Sequence, residues 1–106
     1  MTELKKHTSF GEHLRLLRES AGLTLKEVAS NIEIDISLLA KIERNERQAT
    51  KQQIRNIASY FNANEKELLY EFLSDQIAYK ILEEDADLSI LKVAEEKIKY
   101  GITKNK

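Results

Sequence analysis

This chain of 106 residues contains no cysteine, no proline and only three glycines. The absence of cysteine excludes disulfides, thiolate metal sites and a cysteine nucleophile. Without proline, and with so little glycine, the chain has few points at which a helix must end. No segment approaches the roughly 18 consecutive apolar residues of a membrane span, and no signal peptide opens the chain. We therefore expect one soluble domain with a helical appendage, in a reducing cytoplasm and without membrane contact.

The formal charge of the chain is −1, which by itself does not indicate a nucleic-acid binder. The distribution of charge is more informative. Residues 1–64 hold ten Lys or Arg and eight Asp or Glu, whereas residues 65–106 hold seven Lys and ten Asp or Glu. All five arginines lie in the first part. Because arginine forms bidentate contacts with phosphate and guanine, this distribution favours DNA contact by the N-terminal part.

The starts of the helices are marked by capping residues. A Ser, Thr or Asn followed three positions later by Glu or Gln satisfies backbone N–H groups that have no partner in the first turn. Four such pairs occur: Ser9-x-x-Glu12, Thr24-x-x-Glu27, Thr50-x-x-Gln53 and Asn64-x-x-Glu67. Asp35 can cap a further helix, and Gly101 can end the last one. The pattern predicts six helices, at about residues 10–20, 25–31, 36–44, 51–61, 65–84 and 88–100. No segment alternates with period two, so we predict an all-α fold.

The third predicted helix has a polar and basic outer face. At 100° per residue, Leu38, Leu39 and Ile42 point inward. The side chains that then point outward are Ser37, Ala40, Lys41 and Arg44, with Ile36 on the flank. A small side chain lets a helix approach DNA closely, and long basic side chains reach bases and phosphates. This face is typical of a helix that reads the major groove.

The segment from Phe10 to about Leu69 resembles the Xre-like (phage repressor-like) helix-turn-helix family. The matching features stand in register over five predicted helices: Leu14-x-x-Leu17-Arg18, Gly22-Leu23, Val28-Ala29, Ile32-x-Ile34, Leu39-x-x-Ile42-Glu43, Thr50, Ile57-Ala58 and Asn64-x-x-Glu67-Leu68-Leu69. The resemblance implies an all-α, five-helix lambda-repressor-like domain whose third helix enters the DNA major groove.

The resemblance also implies roles for individual residues. Arg18 is expected to form a structural ion pair with Glu43 and so to tie the first helix to the third. The positions implied to read bases are Ile36, Ser37, Ala40 and Lys41. The positions implied to contact phosphates are Arg44, Arg47, Thr50, Lys51 and Gln52, where backbone amides at a helix start also hold anions.

Three positions depart from the family pattern. Glu33 stands at a turn position that is commonly Gly, where a left-handed backbone would cost about 1 kcal/mol. Leu25 replaces a frequent Gln and so removes a phosphate contact. Ile36 offers a base only apolar contact, for example with the methyl group of thymine.

Residues beyond the family segment carry more apolar surface than one domain needs. The predicted helix from residue 65 is apolar nearly all round, and the last helix has two apolar stripes. A two-fold homodimer would cover this surface; the alternative is that both helices fold back on a monomeric core. The residues predicted at the dimer interface are Leu73, Ile77, Ile81, Leu91, Ala94 and Ile98. The last helix also resembles the tails of small regulators found near restriction–modification genes.

These observations divide the chain into a helix-turn-helix DNA-binding domain at 8–69, a C-terminal helical dimerisation extension at 70–100 and a flexible tail at 101–106. We predict a homodimeric regulator that binds a palindromic operator on double-stranded DNA, commonly that of its own operon. The alternative is an antitoxin-like or adaptor protein that has kept the fold. No catalytic constellation is present in the sequence, so we predict no enzyme, no cofactor, no metal and no small-molecule effector.

Overall fold

The computed structural model describes residues 9–101, and within them all regular structure is α-helical. The six helices are α1 (Phe10–Ser20), α2 (Leu25–Asn31), α3 (Ile36–Glu43), α4 (Lys51–Phe61), α5 (Glu65–Glu83) and α6 (Ile90–Tyr100). The predicted all-α fold is confirmed, and the helix bounds agree with the sequence to within two residues. The start of the predicted domain at residue 8 and most of the predicted tail, residues 102–106, lie outside the described residues. No helix among residues 9–101 combines the length and hydropathy of a membrane span.

The helices begin where the capping residues predict. Complete capping boxes, in which each side chain of the pair accepts from the other residue's backbone N–H, form at Ser9, Thr24 and Thr50. Asp35 caps α3 by accepting from two backbone N–H groups, and Asn64 caps α5 by accepting from the N–H of Glu67. Because these bonds span at most three residues, the sequence alone determines where α1 to α5 start; no side-chain cap starts α6.

The chain divides into two compact units, Met1–Asp75 and Gln76–Lys106. The first unit contains the whole buried core, to which α1 to α4 and the start of α5 all contribute. Its largest fully buried side chains are Leu14, Val28, Leu39, Ile42, Ile54, Ile57 and Leu68. Each such side chain contributes about 1.5–3 kcal/mol by leaving water. The orientation of α3 follows, because Leu39 and Ile42 can enter this core only if the opposite face of the helix points outward.

The second unit contains the end of α5 and all of α6, and none of its described residues is buried. Every residue of α6 is exposed, including its apolar ones. Large apolar side chains exposed in this unit include Ile77, Leu82, Leu88, Ile90, Leu91, Val93 and Ile98. Helices shorter than about 12–15 residues are only marginally stable in water without packing. The 11 residues of α6 therefore need a surface to pack against.

Within the first unit, the early part of α5 holds the start of α1. The rings of Phe10 and Phe72 meet edge to face, with centroids 5.7 Å apart. The backbone N–H of Phe10 donates to Asp75 Oδ2 at 2.8 Å, so this carboxylate satisfies an otherwise unpaired group of the first turn. His13 Nδ1 lies 2.7 Å from Glu71 Oε1, and burial raises the pKa of Glu71 above its ordinary value.

Two turn positions of the helix-turn-helix have left-handed backbone. Gly22, between α1 and α2, has φ = 72°, and Glu33, between α2 and α3, has φ = 60°. Gly adopts this conformation without steric cost, whereas a side chain such as that of Glu33 is disfavoured by about 1 kcal/mol. Glu33 is therefore a strained position in the turn that sets the angle between α2 and α3.

We predict that Glu33→Gly raises the free energy of unfolding by about 0.5–1 kcal/mol, because it removes this strain. Gly22→Ala is the reverse test: no atom would obstruct the added Cβ, so only the positive φ opposes it, and it should destabilise by about 1 kcal/mol. Urea unfolding measures both. A destabilised Glu33→Gly protein would contradict the strained conformation.

Candidate nucleic-acid interface

The candidate interface is centred on α3, which follows α2 after a tight turn. The inner side of α3 is buried through Leu39, Ile42 and Glu43. Its outer side carries the four positions that the sequence assigned to base reading. Ile36, Ser37 and Lys41 are exposed, and Ala40 is half-buried. A groove-reading helix needs such a face, with a small residue at the centre and longer ones around it.

The hydroxyl of Ser37 is engaged inside the protein. The backbone N–H and the Oγ–H of Ser37 both donate to the Asp35 carboxylate that caps α3. These bonds, the side-chain one first, lower the pKa of Asp35 below its ordinary value. The stabilisation from this cap is therefore complete above the ordinary aspartate pKa and is lost as the pH falls below it. The Ser37 oxygen is left to act mainly as an acceptor.

The structure brings Arg18 and Glu43 together beneath this face. Arg18 Nε lies 2.7 Å from Glu43 Oε2, and Nη2 lies 3.0 Å from Oε1, so the contact is bidentate. The side chains are only 13% and 5% exposed. Arg18 Nη1 also donates to the carbonyl of Leu23, just before α2. The hydrogen bond with Glu43 raises the pKa of Arg18, and the pair joins α1, α2 and α3.

A second junction joins α1 to the end of α3. The N–H of Gly11 donates to Asn45 Oδ1 at 3.1 Å, and Asn45 Nδ2 donates to Ser9 Oγ at 2.8 Å. A Cβ on Gly11 would lie only 2.5 Å from the carbonyl oxygen of Ile42. Asn45 itself has φ = 63°, a conformation that asparagine tolerates better than most residues. The close approach of the two helices therefore requires glycine at this point in α1.

The predicted phosphate contacts lie after α3 and at the start of α4. Arg44, Arg47, Thr50, Lys51 and Gln52 are all exposed. Within residues 9–101, no carboxylate lies in ion-pair range of Arg47 or Lys51. Gln52 is engaged within α4, where its Nε2 donates to Asn56 and its Oε1 accepts from Arg55. Arg44 is paired with a carboxylate, since its Nε and Nη2 donate to the two oxygens of Glu46.

The residues predicted at the dimer interface are distributed over both units. Leu73 belongs to the first unit, and Ile77, Ile81, Leu91, Ala94 and Ile98 belong to the second. All are exposed except Ile81, which is half-buried. Their apolar surface is therefore accessible within a single chain.

Sequence reasoning missed three residues around the end of α3: Gly11, Asn45 and Glu46. Gly11 carries a detectable signal, because glycine inside a helix costs about 1 kcal/mol and often marks a close approach. Asn45 follows a helix end, where a left-handed residue is common. No local signal identifies Glu46 as the partner of Arg44.

Residues 9–69 of this chain match a model of the helix-turn-helix domain family. The HTH-type transcriptional regulator DdrOP3 of Deinococcus deserti is 33% identical over 79 residues. This alignment covers 73% of the present chain and 61% of the relative, so the chain spans less than two thirds of that protein's length.

Two solved structures share the fold. The clp gene regulator ClgR from Corynebacterium glutamicum superposes with a TM-score of 0.54 at 23% identity, over 83% of this chain and 88% of that one. The SinR protein in complex with the SinI protein superposes with a TM-score of 0.55 at 22% identity, over 91% and 84%. At these identities the similarity is one of fold, and it confirms the predicted lambda-repressor-like architecture.

The buried pair gives a stability prediction. Glu43→Gln should lower the free energy of unfolding by about 3 kcal/mol, because Arg18 then loses its buried counter-charge. The double change Arg18→Met with Glu43→Leu should recover most of this loss, since it removes both charges. Glu65→Gln, in the exposed pair with Arg55, is the control and should change stability little. Urea unfolding measures all three, and a loss equal to that of the control would show that the pair does not stabilise the fold.

Proposed function

This chain belongs to the Xre-like helix-turn-helix family, and from this membership we propose that it is a DNA-binding transcriptional regulator of its own operon. The family is not one of enzymes, which agrees with the prediction from sequence. As proposed, the protein acts in the bacterial cytoplasm and binds a palindromic operator as a homodimer. One observation carries the proposal: the outer face of α3 is exposed, a buried ion pair anchors the opposite side, and the exposed cations Arg47 and Lys51 follow α3 in the chain.

The roles within this face follow from side-chain chemistry. Lys41 lies on the outer face of α3 in its last turn, and its long side chain can reach base edges once the helix is in the groove. Ala40 leaves room for the approach, and Ile36 supplies an apolar contact for a thymine methyl. We assign the phosphate contacts to Arg47, Lys51 and the backbone amides at the start of α4, and such contacts supply affinity without sequence information.

Homodimerisation is supported by the exposed apolar surface of the second unit. Exposed apolar stripes on a helix too short to be stable alone call for a partner surface. Residues 76–106 hold six lysines and six acidic residues, so two copies of this segment meet without net repulsion. A two-fold pair would supply two α3 helices, and a palindromic site read in successive major grooves requires them about 34 Å apart, one turn of DNA. We therefore propose a second copy of this chain as the partner.

The alternative is a protein-interaction module that has lost DNA binding. One comparison supports this alternative: a solved structure of similar fold is a complex of two different proteins, SinR and SinI. Selection of duplexes from a random-sequence pool, followed by gel shifts on the DNA upstream of its own coding sequence, distinguishes the two. Specific binding that weakens with salt supports the regulator. Binding to no duplex at all would support the interaction module.

The different roles proposed for Lys41 and Arg47 give a prediction on DNA binding. Lys41→Ala should reduce discrimination between the selected site and a site with one changed base pair, by about 1–3 kcal/mol. Arg47→Ala should instead weaken binding to all sequences and reduce the salt slope by about one. Lys66→Ala, at an exposed lysine in the first turn of α5, is the control. Fluorescence anisotropy at several salt concentrations measures these effects, and equal behaviour of all three variants would refute the assignment.

The dimer proposal has its own test. Leu91→Asp places a charge in the predicted interface and should weaken dimerisation at least about tenfold, as well as operator binding. Lys92→Asp introduces the same residue at the neighbouring position of α6 and is the control. Because Leu91 is exposed in the single chain, the fold of the first unit should remain intact by circular dichroism. Sedimentation equilibrium measures the association, and a wild-type protein that stays monomeric would contradict the proposal.

A further inference from the structure

The Arg44 guanidinium at the end of α3 already holds an anion from the protein itself. Its Nε lies 3.0 Å from Glu46 Oε2, and its Nη2 lies 3.1 Å from Oε1. A phosphate presents two oxygens to a guanidinium in the same bidentate way. Glu46 therefore occupies the Nε and Nη2 donors, the edge of the guanidinium through which Arg44 would bind a DNA phosphate side-on.

The position of Glu46 is set by the backbone. The chain turns sharply after α3 through the left-handed residue Asn45, whose N–H donates to the carbonyl of Ile42 at 3.0 Å. The N–H of Glu46 donates to the carbonyl of Lys41 at 2.8 Å. The Asn45 side chain is bound to Ser9 and Gly11 of the α1 start. This turn keeps the carboxylate next to α3.

Glu46 is also a negative charge inside the most basic part of the candidate interface. The hydrogen bond from Arg44, followed by the positive charges of Arg44 and Lys41, lowers the pKa of Glu46 below its ordinary value. The carboxylate is therefore ionised at neutral pH. DNA that approaches α3 meets this charge together with the three cations Lys41, Arg44 and Arg47.

Building on the DNA binding proposed above, we propose that Glu46 limits DNA affinity by holding Arg44, which must exchange this carboxylate for a DNA phosphate. The Arg44 and Glu46 side chains are 56% and 54% exposed, and ion pairs this exposed contribute little to stability. A phosphate can therefore displace Glu46. The pair weakens binding without preventing it, and Glu46 is a residue that tunes the affinity of this surface.

Glu46→Gln tests the proposal, since it keeps the size of the side chain and removes its charge. We expect the variant to bind a short random-sequence duplex about 2- to 5-fold more tightly. Its salt slope between about 50 and 200 mM should change by less than one, because Arg44 contacts a phosphate in both complexes and only the cost of displacing Glu46 is removed. The random-sequence duplex is the probe because phosphate contacts do not depend on an operator. Fluorescence anisotropy measures both quantities.

Two further proteins separate the role of Arg44 from that of net charge. Glu84→Gln makes the same charge change in an exposed pair with Lys80 in the second unit, and it should leave affinity unchanged within about twofold. In an Arg44→Gln background, Glu46→Gln should bring a gain of less than about twofold. An equal gain in both backgrounds would show that Glu46 acts only as a charge, which overturns the proposal.

A measurement without DNA keeps this inference distinct from the proposed function. Carboxyl NMR titration of Glu46 should give a pKa below the ordinary value in the wild type, and one close to it in Arg44→Gln. No change would mean that the pair does not form. A third outcome separates the two proposals: Glu46 has a lowered pKa and Glu46→Gln binds the random duplex more tightly, but no operator is selected. That outcome would refute operator recognition and support the role of Glu46.

Discussion

The crossing of α1 over the C-terminal end of α3 is the constraint on which the rest of the interface depends. Arg18 and Glu43 join the helices through a buried bidentate ion pair, and Gly11 lets the backbones approach closely enough for Asn45 to bind the start of α1. Burying these charges is tolerable only because each satisfies the other. With its inner side fixed in this way, α3 can present only one face to solvent, and that face carries the candidate DNA contacts.

The charges around this face are mixed, which bears on the strength of the proposed DNA binding. Asp35 is needed as the cap that starts α3, and Glu46 lies in the turn that ends it. Both carboxylates lie close to the cations that we propose contact DNA. Capping and turn formation place these acids for local reasons, whereas DNA affinity would favour their absence.

The two units differ in how their apolar side chains are used. In the first unit these side chains enter a common core, and only scattered ones remain exposed. In the second unit no described residue is buried, although α6 and the end of α5 carry many apolar side chains. Apolar side chains along one side of a helix indicate that this surface must be covered. Whether it is covered by the same chain or by another depends on where the surface lies in the fold.

Local signals were sufficient to predict the helices, their starts and the inward side of α3, because caps and apolar periodicity act over three or four residues. The sequence also indicated that a left-handed backbone at Glu33 would be unfavourable, but it did not show that Glu33 adopts this conformation. The tertiary structure alone decided the contacts between residues distant in sequence: Gly11 and Asn45 at the α1–α3 crossing, and the support of Phe10 by Asp75. The pairing of Arg44 with Glu46 is local by comparison, since it spans two residues across the left-handed turn at Asn45. The distant contacts leave no periodic trace in the sequence, since one residue on each side is enough to make them.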